Sequence, residues 1–450
     1  MSVGTAASWL LAQEARALLT RLARVLPFAL QVPMVPAAGV STAAQTAIEE
    51  YLARGRRELR GMVGEFLKWM HGSAGRAATP AEAQRRFTYV RLRFQAMLTQ
   101  FDIFADALGQ RSEHETGVRL AGLDVAAADA LALPGGDYDV PPVICYLDRG
   151  QGAAIRRART RLPGGGENPV AIIRIPRERM IGSGISSSLV HEVGHQGAAL
   201  LELIPSLRLS LREKQEEAGE QRVAWTYWER WISEIVADFW AIARVGVSAT
   251  MGLLSVVSLP RAFVFRISPD DPHPFPWIRV LLSCEMGATL YPHPQWNQLA
   301  RLWESFYPAG GLDEDRTELI AKLRKTMPDF AALLASHRPE TLRGRSLGEA
   351  LGSANRQPAR LAAEYANWQS APERMYKAAP SFALAVIGQA KADNRISPEE
   401  ESRLLADLLM RWALRSALDS SAACANRSVT QGRCAVCRRR VERELQSTLQ

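Results

Sequence analysis

Apolar residues recur at helical spacing along most of the chain. Across 43–69, Ile48, Tyr51, Leu52, Leu59, Met62, Val63 and Phe66 fall on one face of a helix, and 81–108 repeats the pattern. Gly72-Ser73-Ala74-Gly75 and Pro80 break the two segments. Residues 1–130 therefore read as a helical region. The pattern changes near Leu133-Pro134-Gly135-Gly136, after which 142–147 and 169–176, the second bounded by Gly164-Gly165-Gly166 before and Pro176 after, are strand candidates. These two are the only β segments expected. Helical spacing returns at about Ser186 and persists, interrupted by Pro-rich loops at 268–276 and 291–294. A final helical block begins near Pro339. Within it, Ser397 is a natural N-cap, with Pro398 at the first helical position and Glu399, Glu400 and Glu401 in the first turn. No repeat of fixed period is present. At about 150 residues per domain, the pattern divides the chain into a helical region 1–130, a mixed region 131–300 and a helical region 301–450.

Composition narrows the classes. The chain has 450 residues, 47% of them hydrophobic, which excludes a disordered protein. Five cysteines exclude a disulfide scaffold. The net charge of +8 comes from 55 basic against 47 acidic residues, scattered in short pairs such as Arg56-Arg57 and Arg156-Arg157. A diffuse basic balance gives an electrostatic footprint without a reader, so no nucleic-acid partner is expected. No signal peptide is evident. The run 25–48 contains Pro27, Pro33 and Pro36 and makes a poor membrane helix. The longest proline-free uncharged run, 245–259, falls short of the roughly 20 residues that span a bilayer and reads as a buried helix. The expectation is a soluble cytoplasmic protein without a membrane span, or one exported without a cleaved signal.

The chemistry concentrates in one place. His191-Glu192-Val193-Gly194-His195 follows a helix start at Ser186-Ser187-Ser188. Residues four apart are separated by about 40° around a helix, so both imidazoles leave one face and can share a tetrahedral Zn²⁺. Glu192 is about 100° away and can reach a water on the metal without ligating it. The alternative is a polar helix face with two ordinary histidines. Downstream, Glu234 and Asp238 are also four apart, among Trp228, Trp231, Phe239 and Trp240. Acids in such surroundings are rarely buried unless paired or bound to a cation. Glu234 suits a third ligand, and Asp238 suits an acceptor for the second ring N–H of a ligand histidine. The alternative is a surface salt bridge, for example Glu234 with Arg230.

HExxH followed by E-x-x-A-D on a later helix resembles the gluzincin zinc metallopeptidases, and more narrowly the group of the CAAX prenyl proteases and HtpX. The resemblance covers roughly Ile172 to Arg279, a quarter of the chain. That group's flanking membrane helices are not apparent. It also carries a His-Pro dipeptide after the acidic helix, matched here by His273-Pro274, 35 positions after Asp238. The fold implied is mainly α, with a zincin-like α+β catalytic core and a small sheet, flanked by helical N- and C-terminal regions. The activity implied is peptide hydrolysis. Zn²⁺ would be held by His191, His195 and Glu234, Glu192 would act as general base, and Asp238 would orient a ligand histidine. His273 is the candidate for stabilising the oxyanion or for gating the metal, with Tyr291 and His293 in reserve. The strand 170–175 would be the edge that pairs with an extended substrate. Substrates would be proteins or peptides, and the helical terminal regions could receive a partner protein. The alternatives are a proteolytic effector or toxin delivered by a secretion or contractile system, a zinc-binding scaffold without turnover, and an Arg-rich nucleic-acid binder.

Weaker signals remain. Cys424, Cys434 and Cys437 lack a second pair for a zinc site and read as thiols or a disulfide in a basic tail. Cys145 and Cys284 read as small buried hydrophobes. Asp393 to Glu400 faintly resembles the acidic helix–helix turn of tellurite-resistance-type domains and is read as a capped turn. Trp225, Trp228, Trp231 and Trp240 are expected to pack against the HExxH helix.

Overall fold

The computed structural model describes residues 3–25, 32–150, 152–162 and 165–430; for Val3 and residues 424–430 it describes the backbone alone. The protein is mainly helical with one three-stranded sheet.

The N-terminal region is a bundle of α1 (Val3–Ala23), α2 (Thr42–His71) and α3 (Pro80–Gly109). The ends are set by local chemistry. Ser41 caps α2, and Thr79 and Glu82 form a capping box ahead of α3, with Pro80 at its first position. The apolar stripe read from the sequence is the buried one: Ile48, Leu52, Leu59, Val63 and Phe66 meet Phe87, Phe94 and Phe101 in one core.

After α4 (His114–Leu131) come β1 (Val143–Asp148), β2 (Ala154–Arg156) and β3 (Ala171–Pro176). The order is β1-β3-β2, with β3 parallel to β1 and antiparallel to β2. Alternate residues face two different cores. Ile144 and Ile172 pack on the N-terminal bundle, while Cys145, Ile173 and Ile175 face the main core. Burial on both faces explains why both strands are mostly apolar and not alternating. The position of β3 corrects the sequence expectation: it is the central strand, not an edge. The partner that covers it, β2, is only three residues long, too short to show an alternating pattern.

The rest of the described residues are mainly helical. Four elements build the site: α5 (Ser183–Leu200), α6 (Ile232–Val245), α7 (Val247–Val257) and α8 (Pro276–Leu290). Two others support it from the C-terminal region, α9 (Pro380–Ala392) and α10 (Pro398–Thr430). The uncharged run 245–259 is α7, whose Val247, Leu253 and Val257 lie in the main core. Among the described residues, no helix is long and apolar enough to cross a membrane. The C-terminal helices begin earlier than Pro339, with Glu314–Ser336, which carries Pro328 inside it. Ser397 caps α10 with Glu400 as its capping-box partner. Cys145 and Cys284 are buried free thiols. Cys434 and Cys437 lie outside the described residues, as does the Cys424 side chain.

One apolar core runs from Leu120 of α4 to Trp412 of α10. Regions 131–300 and 301–450 thus share a single interior, to which α4 also belongs. The four tryptophans are buried. Trp228 stacks on Phe330 with ring centroids 4.8 Å apart, and Trp225 meets the same ring edge-on. Trp240 lies against α5, its ring over Gly197.

Candidate metal centre

α5 is held at its start and pressed against α6 along its length. It begins after Gly182, whose φ of 54° lies in the left-handed region that favours glycine. A side chain there would also strike Glu401 at 2.4 Å. Glu401 of α10 is buried and accepts from Ser183 Oγ at 2.7 Å and from Lys391 Nζ of α9 at 2.6 Å. Further along, Gly194 and Gly197 form a smooth strip facing α6. A Cβ at Gly194 would come within 2.8 Å of the Ala237 backbone, and one at Gly197 within 2.3 Å of the Trp240 ring. That approach brings Glu234 and Asp238 of α6 up to His191 and His195.

The two imidazoles stand at 89° with centroids 4.9 Å apart. His191 Nδ1 lies 2.8 Å from Asp238 Oδ1. Asp238 also accepts two hydrogen bonds from Arg279 of α8, Nε to Oδ2 at 2.7 Å and Nη2 to Oδ1 at 2.8 Å. When the ring is neutral, a carboxylate at Nδ1 fixes the tautomer in which Nε2 carries the lone pair. That Nε2 lies 3.2 Å from Glu234 Oε2, with His195 Nε2 at 3.5 Å and His273 Nε2 at 3.0 Å from the same oxygen. Glu234 Oε2 is buried, yet none of these neighbours is aligned to hydrogen bond to it. A buried carboxylate oxygen without an aligned donor, facing imidazole nitrogens, is a donor set that could hold a metal ion. His191, His195 and Glu234 each offer a ligand atom within 4.8 Å of the others.

The electrostatics follow from this packing. Burial disfavours the charged form of His191, but Asp238 and Glu234 outweigh it and raise its pKa to about 9. Burial alone would raise Glu234, but His191, His195 and His273 hold it far below the usual carboxylate range. Asp238 is likewise held low against its burial, chiefly by Arg279 and then His191. Glu192 goes the other way: burial pushes its carboxyl up, and the nearby histidines only partly oppose this. Glu192 is 6% exposed and lines the cavity next to His191.

His273 sits at the rim, its side chain 43% exposed. Asp271 orients it, with Oδ1 2.8 Å from its Nδ1 and accepting its backbone N–H at 3.0 Å. The reserve residues are elsewhere. Tyr291 is buried, with its hydroxyl donating to the Ala243 carbonyl at 2.6 Å, and His293 caps the helix Pro294–Phe306. The salt-bridge alternative for Glu234 fails, because Arg230 donates to the Ser268 carbonyl while Glu234 faces the histidines. Sequence reasoning missed the role of Arg279. Its place one turn into α8, shortly after His273-Pro274, was the only signal.

Comparison with protein-family models, with curated proteins and with solved structures found no match to the chain. The resemblance to gluzincins therefore stands on the motif residues themselves.

Proposed function

We propose that the protein is a zinc-dependent metallopeptidase built on a zincin-like α+β core. The observation that carries this reading is the convergence of His191, His195 and Glu234 around a buried acceptor without an aligned donor, with Glu192 in the adjoining cavity. A scaffold that only bound metal would have no use for that fourth group. When bound, zinc supplies Lewis acidity toward a peptide carbonyl and acidifies water.

This chain's residues do the rest. Asp238 and Arg279 lock the His191 ring. Glu192, its carboxyl raised by burial, takes a proton from the attacking water and returns it to the leaving amine, the task for which a base with a raised pKa is suited. His273, oriented by Asp271, is placed to donate Nε2–H to the oxygen on which charge develops. β2 is an edge strand of the sheet, and Gly152 and Ala153 just before it line the same cavity. An extended substrate would pair there, not on β3.

The test is a peptide-library cleavage assay on the wild type and Glu192→Gln, with zinc measured in both. Zinc in both with cleavage only in the wild type supports the reading. Zinc with no cleavage in either supports the scaffold alternative. Equal cleavage in the two contradicts the mechanism.

A further inference from the structure

α2 and α3 enclose an open groove near the turn that joins them, about 450 Å³ in volume. Its apolar floor is Met62, Phe66 and Trp69 from α2 with Val90 from α3. Phe66 and Val90 belong to the N-terminal core, not to the core around α5 and α6, so the groove stands apart from the candidate metal centre. Tyr89 lines it and is 62% exposed, and Leu92, three positions further along α3, is 57% exposed. Scattered exposed apolar residues need no explanation, whereas a contiguous set rimmed by polar residues marks an interaction site.

Charge selects the occupant. Residues 60–93 hold seven Lys and Arg against two acids, Glu65 and Glu82. Six of the seven basic residues are exposed. Glu82 is engaged in the capping box with Thr79, and Glu65 lines the groove. Arg85 and Arg86 form the rim. Arg86 lies over the Trp69 ring, 4.4 Å from its centroid, and among the described residues neither arginine is in a salt bridge. A positive rim favours an acidic partner. The chain's own segment 431–450 has the wrong sign, with five Arg against two Glu. A nucleic-acid backbone would use the arginines and leave the apolar floor unfilled. Shape points the same way. From Met62 to Trp69, α2 rises about 10 Å, the length over which an amphipathic helix presents anchors at i, i+3, i+4 and i+7.

We propose that this groove docks an acidic amphipathic helix of a partner protein, with its apolar anchors on Phe66 and Trp69 and its carboxylates at Arg85 and Arg86.

Fluorescence anisotropy on the full-length protein at about 0.15 M salt decides it. The probe is fluoresceinyl-Glu-Glu-Leu-Glu-Glu-Leu-Leu-Glu-Glu-Leu-Glu-amide, whose leucines have that spacing. Two control peptides replace every Glu by Lys or every Leu by Ser. The expected result is saturable binding at least about tenfold tighter than either control, weakened about tenfold by Arg85→Glu and by Tyr89→Ala. Both replaced side chains are exposed, so the variants should keep the wild-type circular dichroism. No saturation of the wild type up to about 1 mM, or a control peptide that binds as well, overturns the proposal whether or not the variants fold. So does unchanged binding in either folded variant. Phosphatidylserine vesicles and a short DNA duplex are run as competitors. If either displaces the probe by binding more tightly than it does, the surface serves a membrane or a nucleic acid instead. A dimer in sedimentation that Tyr89→Ala dissolves would make a second copy of this chain the occupant, and equally overturns the proposal.

Discussion

Asp238 stands between a ligand histidine and an arginine, and both contacts act through one carboxylate. It is 8% exposed, accepts twice from Arg279 and faces His191 Nδ1. Asp238→Asn keeps the shape but loses the charge that fixes the tautomer. We expect zinc affinity to fall by about 10- to 100-fold, measured by competition with a chelating indicator. Unchanged affinity would show that the His191 ring is held by packing alone. His273 is separable from the ligands because it is half exposed and hangs on Asp271. His273→Ala should retain zinc and lower kcat by about 10²- to 10³-fold, read from steady-state kinetics alongside metal content. Zinc lost together with activity would make it a ligand instead. At this scale the sequence was informative: His191 with His195, and Glu234 with Asp238, each share a helix face as their four-residue spacing requires, and packing brings the two pairs together. Arg279 was not legible, because an arginine gains its role only from the carboxylate that three-dimensional packing places beside it.

At the scale of elements, the site depends on how closely α5 and α6 approach. Gly194 and Gly197 are one turn apart on α5 and permit that approach, with the Trp240 ring lying over the second. Trp240 is fully buried, and its Nε1–H donates to the Ala130 carbonyl at 3.1 Å. It therefore locks α6 to both α5 and α4. The Gly194→Ala methyl would meet backbone, which cannot swing aside as a flexible side chain can. We expect a loss of about 1–3 kcal/mol in denaturant unfolding, with weaker zinc binding because Glu234 is displaced from the histidines. Wild-type stability and affinity would mean that the helices separate without cost to the centre. The sequence showed the helices but not this crossing, since a glycine in HExxH is equally consistent with an exposed face. It also could not show that β3 is central, because the strand that makes it so has only three residues.

For the whole molecule, the three regions seen along the chain are not three independent interiors. The core around α5 and α6 continues through the C-terminal helices to Trp412, and Glu401 and Lys391 from α10 and α9 fasten Ser183 at the start of α5. Polarity patterns report which face of an element is buried, not what buries it, so this continuity was invisible in the sequence. A fragment of residues 131–300 should therefore lack a cooperative unfolding transition and expose apolar surface to a hydrophobic dye, where the full chain does not. A fragment that unfolded cooperatively on its own would show that the C-terminal helices are dispensable to the core.

In the proposed centre, His191, His195 and Glu234 together hold one zinc ion with Glu192 standing clear of it. Zinc stoichiometry by mass spectrometry on the purified full-length protein tests this most directly, comparing wild type, Glu192→Gln and Glu234→Ala. One tightly held zinc per chain is expected in the first two, and its loss in Glu234→Ala while the fold persists. Zinc absent from the wild type, or held equally well by Glu234→Ala, would contradict it.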